Sequence, residues 1–225
     1  MIRAIATARG AMPARKEAGL TMSSSRSICR IGVFYDGSFF QYAQNYYYHE
    51  RQLGWLRFQP FHSFIEVFVS QKEPGFSSYK VVCASWHQGL FTTAKATPEQ
   101  LRADRNLYHD LMHAGIDPKY LPMSMARGEK GTDVALAVDA LQTGVDGKID
   151  VAVLVTGDGD FVPLVRALNK QGVRVLAVYF QFEAKDGKKS FINERLHAVV
   201  NYAVDVDSLD GDKEYKQVFR SLFTK

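Results

Sequence analysis

Short apolar runs alternate with amphipathic segments along most of the chain. The apolar runs and their flanking turn residues predict strands at Ile31–Tyr35, Lys80–Trp86, Tyr120–Ser124, Val151–Thr156 and Val173–Phe180. Helical spacing, capping residues and terminal glycines predict helices at Phe61–Ser70, Pro98–His113, Asp133–Gln142, Phe161–Gln171 and Phe191–Tyr202. Strands that alternate with helices in this way indicate an α/β fold, in which helices cover both faces of a mostly parallel sheet.

Two stretches fall outside this alternation. Residues 41–79 are long for a single connection between strands, so they predict a helical insertion after the first strand. After the last predicted helix, a short apolar stretch at Ala203–Val206 precedes residues 209–225, which we expect to form a C-terminal tail. The main domain is therefore expected to span residues 29–208.

The formal charge of +4 is concentrated at the N-terminus. Residues 1–30 hold six Lys or Arg residues against Glu17 and carry +5, which leaves −1 for residues 31–225. We predict that residues 1–28 form a disordered basic tail. Their acid-poor, Arg- and Ser-rich composition is also found in transit peptides, and a true start at Met12 or Met22 would remove part of it. A nucleic acid would therefore have to bind a local basic rim of the domain.

Composition excludes several classes of protein. Hydrophobic residues make up 46% of the chain, and no apolar run reaches the ~18 residues that a membrane span needs. The two cysteines, Cys29 and Cys83, lack metal-ligand spacing and predict no disulfide framework, so we expect a reducing, cytoplasmic environment. The sequence contains no P-loop and no GxGxxG motif after the first strand, which disfavours enzymes that bind a nucleotide cofactor.

Four aspartates lie at or near the ends of predicted strands. Asp36 comes directly after the first strand, and Asp158 and Asp160 follow the fourth in a Gly-Asp-Gly-Asp motif. Asp133 opens the helix that leads into the fourth strand. If the strand order is 3-2-1-4-5, strands one and four are neighbours and these acids share the crevice where open parallel sheets bind ligands. Clustered carboxylates repel one another unless a cation joins them, and hard oxygen ligands suit Mg²⁺ or Mn²⁺.

Each of these acids also has a purely structural explanation. Asp36 and Gly37 form a common turn pair, and Asp133 near a helix start interacts favourably with the helix dipole. Asp160 is placed to cap the helix that follows it. The hypothesis of a metal site therefore depends on the joint placement of the acids and not on any one of them.

Four sequence motifs follow one another in order between about residues 30 and 208. They are Ile31–Ser38, Lys130–Asp139, Val155–Val165, and a final pattern of Ser190, Leu196 and Ala203–Asp205. This series resembles the NYN-domain family, a branch of the PIN-like nuclease superfamily.

The resemblance implies a Rossmann-like sheet of about five strands and metal-dependent ribonuclease chemistry. It implies catalytic and metal-binding roles for Asp36, Asp133, Asp158 and Asp160, with Mg²⁺ or Mn²⁺ as the cofactor. Asp139 matches a further acid that the family often has on the same helix, and we keep it as a reserve candidate. One position departs from the family pattern, because Phe39 stands where the family often has Asn. Ser38 is then the residue that would supply the missing polar group to RNA.

Basic side chains and one histidine offer further contacts for RNA. Arg127 and Lys130 precede Asp133 and are candidates to hold a substrate phosphate, although they fit an ordinary solvated loop as well. His87, close to the end of the second strand, is a candidate for proton transfer, and a surface or packing role is the favoured alternative.

An aromatic group follows the first strand and consists of Tyr42, Tyr46, Tyr47, Tyr48 and Trp55. These rings could stack on unpaired bases. The favoured interpretation is that they pack the insertion against the sheet or form a homo-oligomer contact.

Two functions fit the sequence. The first is a metal-dependent endoribonuclease that hydrolyses RNA phosphodiester bonds, and it is favoured by the presence of Asp36, Asp133 and Asp158. The second is a non-catalytic RNA-binding or regulatory module with the same fold, and it is favoured by Phe39. RNA is the expected partner in both, and no membrane association is expected in either.

Overall fold

The computed structural model describes residues 28–123 and 130–224, so Arg127 and almost all of the predicted N-terminal tail lie outside the described residues. The first half contains β1 (Cys29–Asp36), α1 (Gly37–Asn45), which continues as a π-helical turn (Tyr46–Glu50), β2 (Trp55–Leu56), α2 (Phe58–Lys72), β3 (Tyr79–Phe91), α3 (Pro98–His113) and β4 (Asp117–Met123). The second half contains α4 (Thr132–Val145), β5 (Val151–Val155), a 3₁₀ turn (Gly159–Phe161), α5 (Val162–Lys170), β6 (Arg174–Tyr179), β7 (Phe182–Glu183), β8 (Lys189–Ser190), α6 (Glu194–His197), β9 (Tyr202–Asp205), α7 (Ser208–Gly211), α8 (Lys216–Ser221) and β10 (Phe223–Thr224).

Six parallel strands form the central sheet of the described residues, in the order β4-β3-β1-β5-β6-β9. The order of the first five confirms the Rossmann-like α/β prediction. The sixth strand consists of Tyr202 and most of the apolar stretch Ala203–Val206, and of the helix that we predicted at Phe191–Tyr202 only the single turn of α6 is formed. Asn201 ends the helical stretch because its backbone and side chain both hydrogen-bond Val175, which starts the pairing of β9 with β6.

The helices begin and end largely where local signals place them. Thr97 caps α3 in a capping box with Gln100, and Pro98 occupies the first turn, as the sequence predicts. Gly131, rather than Thr132, is the capping residue of α4, with a left-handed φ of 82°. In the parts of the chain that the structure describes, none of the helices is both long and apolar enough to span a membrane.

The predicted helical insertion packs an aromatic cluster onto one face of the sheet. Tyr35 and Trp86 project from β1 and β3, and Phe40, Phe58 and Phe61 from α1 and α2 surround them. These five side chains are buried, so this face is closed by ring packing. The other face is closed by α4 and α5 through a smaller aliphatic core. The sheet is therefore buried on both sides, as a parallel sheet requires.

The segment after residue 208, which we expected to be a C-terminal tail, belongs to the same core. Phe219 and Leu222 are fully buried, and β10 forms an antiparallel pair with β2 of the insertion. The hydroxyl of Tyr47 donates to Asp207 at 2.7 Å and so ties α7 to the π-helical turn. The insertion and the C-terminal segment thus cover each other's apolar side chains, through contacts between parts of the chain that are far apart in the sequence.

If residues 209–224 stabilise the domain, Phe219→Ala should lower the free energy of unfolding by about 3–5 kcal/mol, the usual cost of emptying a buried Phe site. The exposed neighbour Lys216→Ala should change it by less than about 0.5 kcal/mol. Urea unfolding followed by circular dichroism measures both. Equal stability of the two variants would restore the interpretation as a tail.

Candidate functional site

Four side chains lie side by side across the sheet, level with the C-terminal ends of β1 and β5. His87 of β3 is the register partner of Asp36 on one side and of Lys119 on the other. Thr156 follows the last paired residue of β5 and lies next to Asp36, to which its hydroxyl donates at 3.2 Å. We call these four side chains, Lys119, His87, Asp36 and Thr156, the edge row.

The edge row faces α4. Phe34 and Leu154, two residues before Asp36 and Thr156, belong to the core beneath α4 and α5. Side chains two positions apart on a strand point to the same face. The polar groups at the strand ends therefore meet the first turns of α4 and leave the aromatic face to the insertion.

Asp36 is held by two hydrogen bonds from different elements. One carboxylate oxygen accepts from the backbone N–H of Phe39 at 3.1 Å and caps α1. The other accepts from the Thr156 hydroxyl at 3.2 Å. The carboxylate is half-buried and fixed between two helix-starting loops, which suits a site that must keep its geometry.

The loop after β5 carries Asp158 and Asp160 and connects them to Asp36. The backbone N–H of Asp158 donates to Thr156 Oγ1 at 3.2 Å, so Thr156 joins Asp36 to this loop. The side chain of Asp158 accepts from the N–H of Asp160 at 2.9 Å and caps the 3₁₀ turn. Both carboxylates are exposed at the edge of the sheet. Asp160 does not cap α5, because the N-cap position of that helix is Phe161 and no side chain caps it.

The two glycines of this loop are required by the segment that covers it. A Cβ atom on Gly157 would lie 2.2 Å from the carbonyl oxygen of Phe191, and one on Gly159 would lie 2.7 Å from the Asn193 side chain. The N–H of Asn193 donates to the carbonyl of Gly157 at 2.8 Å. The acidic loop is therefore clamped from above by residues 191–193.

The start of α4 brings Asp133 to the same edge of the sheet. Asp133 is the second residue of α4 and is exposed, and α4 contacts the 3₁₀ turn that follows Asp158. Lys130 is exposed just before the helix and forms no ion pair with any described residue. Ser38 is exposed in the first turn of α1. Positive ends of α1 and α4 thus point toward the carboxylates, whose negative charge they partly offset.

Asp139, one and a half turns further along α4, is bound to the edge row rather than to the other acids. One of its oxygens accepts from Ser85 Oγ at 2.7 Å and lies 3.2 Å from His87 Nε2, and the other accepts from Lys119 Nζ at 2.5 Å. Burial acts to raise the pKa of Asp139, but the hydrogen bonds from His87, Lys119 and Ser85 outweigh it and hold that pKa well below its usual range.

His87 lies inside β3 and is buried, with 1% of its surface exposed, so it does not occupy an open mouth. Ser85 already donates its proton to Asp139, which makes His87 Nε2 the protonated ring nitrogen. Nδ1 is buried without a hydrogen-bond partner among the described residues. This arrangement fits the packing role better than a role in proton transfer with solvent.

Phe39 fills the position that the family pattern reserves for a polar side chain. Its ring packs on Phe180 with centroids 5.7 Å apart and lies 3.3 Å from a Cβ placed on Gly157. The residue thus closes the gap between the acidic loop and the aromatic face. Ser38 beside it remains exposed at the edge.

Asp36, Asp133, Asp158 and Thr156 offer only carboxylate and hydroxyl oxygens, which fit Mg²⁺ or Mn²⁺ by chemical type. Within residues 28–123 and 130–224, however, no three His, Cys, Asp or Glu side chains are arranged to hold a metal ion together. Asp36 and Asp158 are joined through Thr156, and Asp133 reaches the same edge from α4.

Sequence reasoning missed three contributors to this edge. Thr156 could have been singled out as a hydroxyl at the end of a buried strand next to two acids. Lys119 and Asn193 gave no such signal, because their contacts depend on the pairing of β4 with β3 and on the path of the chain after β8.

Comparisons with known proteins agree with this architecture. The family model of the NYN domain matches residues 30–205. A crystal structure of a protein of unknown function from Vibrio parahaemolyticus is similar with a TM-score of 0.52 and 20% sequence identity, covering 85% of this chain and 97% of that one. That likeness concerns the fold alone, and none of the curated proteins compared with the chain matches it. The match to the family model covers most of the chain and includes every strand of the central sheet, and the chain therefore belongs to the NYN-domain family of PIN-like nucleases.

Proposed function

We propose that this chain is a metal-dependent endoribonuclease whose active site is the acidic edge formed by Asp36, Asp158 and Asp133. The observation that carries the proposal is the hydrogen-bonded series from Asp36 through Thr156 to Asp158, placed beside the first turn of α4. The series lies at the carboxyl ends of β1 and β5, where open parallel sheets bind their ligands. Membership of the NYN family supports RNA-directed nuclease chemistry.

Asp36, Asp133 and Asp158 are the proposed ligands of the divalent ion, which would have to draw their carboxylates together, and Asp160 is an additional oxygen donor. When bound, Mg²⁺ or Mn²⁺ supplies an activated water and offsets the charge that develops on the phosphodiester. Thr156 keeps one Asp36 oxygen in place, and the α1 cap fixes the other. These contacts orient the carboxylates before substrate arrives, which reduces the reorganisation needed for catalysis.

Lys130, Ser38 and Arg127 are proposed to position the RNA strand. Lys130 is exposed at the entrance of α4, where the helix N-terminus and an ammonium group both favour a phosphate. Ser38 is exposed in the first turn of α1, two residues after Asp36. Arg127 is assigned by its place in the sequence before Lys130.

One observation favours the alternative, a non-catalytic RNA-binding module. The side chain at position 39 is committed to ring packing on Phe180 and offers no polar atom to the site. A cleavage assay on single-stranded and structured RNA in Mn²⁺, Mg²⁺ or EDTA separates the two functions. The nuclease should cut only with metal and leave 5′-phosphate and 3′-hydroxyl ends, whereas the binding module should retain RNA without cutting it.

Metal binding should be visible in thermal stability. Carboxylates that share a metal repel one another without it, so Asp36→Asn, Asp133→Asn and Asp158→Asn should melt in EDTA at or above the temperature of the unsubstituted protein. Mn²⁺ should raise the melting temperature of the unsubstituted protein by mass action and should have little effect on these variants, which should also lose cleavage.

Asp110→Asn serves as the matched control, because Asp110 is exposed in the last turn of α3, a helix that packs on the outermost strand β4. It should keep the full response to Mn²⁺ and full cleavage. Absence of any Mn²⁺ response in the unsubstituted protein would remove the metal site and the nuclease mechanism together.

A phosphate contact at Lys130 should affect all RNA sequences alike. Lys130→Ala should weaken binding to different single strands by a similar factor and reduce the slope of log affinity against log salt by about 0.7, the value for one phosphate contact. Lys170→Ala, at the C-terminus of α5, should leave both quantities unchanged. A change in sequence preference at constant affinity would contradict the phosphate role. Arg127→Ala should behave as Lys130→Ala.

Asp139 should behave as a positioning residue and not as a metal ligand. Asp139→Asn leaves the Lys119 ammonium beside His87 without its carboxylate, and we expect a loss of about 1–3 kcal/mol in unfolding free energy. The melting response to Mn²⁺ should persist. Asp146→Asn, exposed at the end of the same helix, is the control for stability. Normal stability combined with a lost Mn²⁺ response would make Asp139 a ligand.

A further inference from the structure

Two aromatic side chains of the insertion stack on each other at the surface. The rings of Tyr48 and Trp55 lie with centroids 4.3 Å apart and planes inclined by 21°. Tyr48 is 42% exposed and Trp55 is 46% exposed. The neighbouring tyrosines differ, because Tyr47 is fully buried and Tyr46 stacks on Phe182 at 3.8 Å. The predicted packing role therefore holds for part of the aromatic group and leaves one ring pair facing solvent.

The turn that places Trp55 over Tyr48 is a strained one. Gln52 has a φ of 54° and Gly54 a φ of 104°, so two of the four residues before Trp55 adopt the left-handed region. For a non-glycine residue such as Gln52 this conformation is unfavourable and persists only where the surrounding structure enforces it.

Buried neighbours hold the exposed ring rigidly. Leu56, the residue after Trp55, is buried and pairs with Phe223 of β10. The side chain of Gln44 bonds both polar groups of the Leu56 backbone, at 2.6 Å to its N–H and 3.0 Å to its carbonyl. Trp55 is therefore presented in a fixed orientation, which lowers the entropic cost of stacking on a ligand.

Positive charge stands beside the ring pair. Arg57 follows two positions after Trp55, both are exposed, and Leu56 between them is buried, so the two side chains share the solvent side of this segment. Arg57 forms no ion pair with any described residue, in contrast to Arg51, which is paired with Asp207 and Asp210. A free guanidinium next to flat, exposed rings is complementary to phosphate next to a base.

We propose that Tyr48, Trp55 and Arg57 form a binding site for unpaired nucleic acid, in which a base stacks on the exposed ring pair and the adjoining phosphate binds Arg57. α1 and the π-helical turn connect Asp36 to Tyr48, and about 12 residues of helix at 1.5 Å each place the two sites roughly 18 Å apart. The site extends the proposed RNA-binding function to a flanking single strand several nucleotides from the cut, and its occupancy does not depend on cleavage.

Fluorescence anisotropy of a labelled single-stranded uridine RNA, measured on the full chain in EDTA, tests the site without cleavage. Trp55→Ala should weaken binding by about 5- to 150-fold, the range of a lost base–aromatic stack, and Trp55→Phe should retain most of the affinity. Arg57→Ala should weaken binding and reduce its salt dependence. Tyr108→Ala is the matched control, because Tyr108 is 44% exposed on α3 and should not contribute.

Unchanged affinity of a folded Trp55→Ala variant, confirmed by its melting temperature, would overturn the proposal. Equal affinity for an abasic strand of the same length would also overturn it, because only phosphate contacts would then remain. If sedimentation showed that Trp55→Ala converts a dimer to a monomer at constant RNA affinity, the ring pair would be a contact between chains. Loss of the nuclease mechanism with RNA binding intact would leave this site standing.

Discussion

A bulge in β3 sets the register on which the edge of the sheet depends. Ile31 of β1 is opposite Val81, but Gly32 is opposite Cys83, so Val82 is left unpaired and is 49% exposed. Without this extra residue, Trp86 and not His87 would stand opposite Asp36. A shift of one residue exchanges the two faces of a strand. The bulge therefore directs Trp86 into the aromatic core and His87 into the edge row, and it permits both faces to be packed at once.

The same register explains how a crowded set of acids is accommodated. Lys119 stands beside His87 and takes up the charge of Asp139, so that carboxylate is neutralised within the fold. The remaining negative charge is carried by exposed or half-exposed side chains at the end of the sheet. There the N-termini of α1 and α4 and the hydroxyl of Thr156 interact with it. Asp139 therefore fixes α4 against the sheet, whereas the other acids are available to a ligand.

Sequence alone predicted the parts of this structure that are determined by local sequence patterns. Buried strands, helix caps such as Thr97 and the order of the central strands were recoverable because apolar runs and capping residues carry them. The bulge at Val82, the clamp of Asn193 on the acidic loop and the packing of Phe219 were not. Each of these depends on contacts between residues far apart in the chain, and a local pattern does not identify the distant partner.

The packing of α1 explains physically why Phe39 stands where the family pattern often has Asn. Phe39 lies between the acidic loop at Gly157 and Phe180, and Phe40 beside it enters the ring cluster around Tyr35 and Trp86. An amide at position 39 would place a polar group against these rings and would leave part of the contact unfilled. The phenyl ring instead continues the aromatic packing up to the Asp36 cap, so α1 is anchored along its whole inner side. α1, capped by Asp36, continues directly into the π-helical turn that carries Tyr48, so this packing also supports the base of the ring pair.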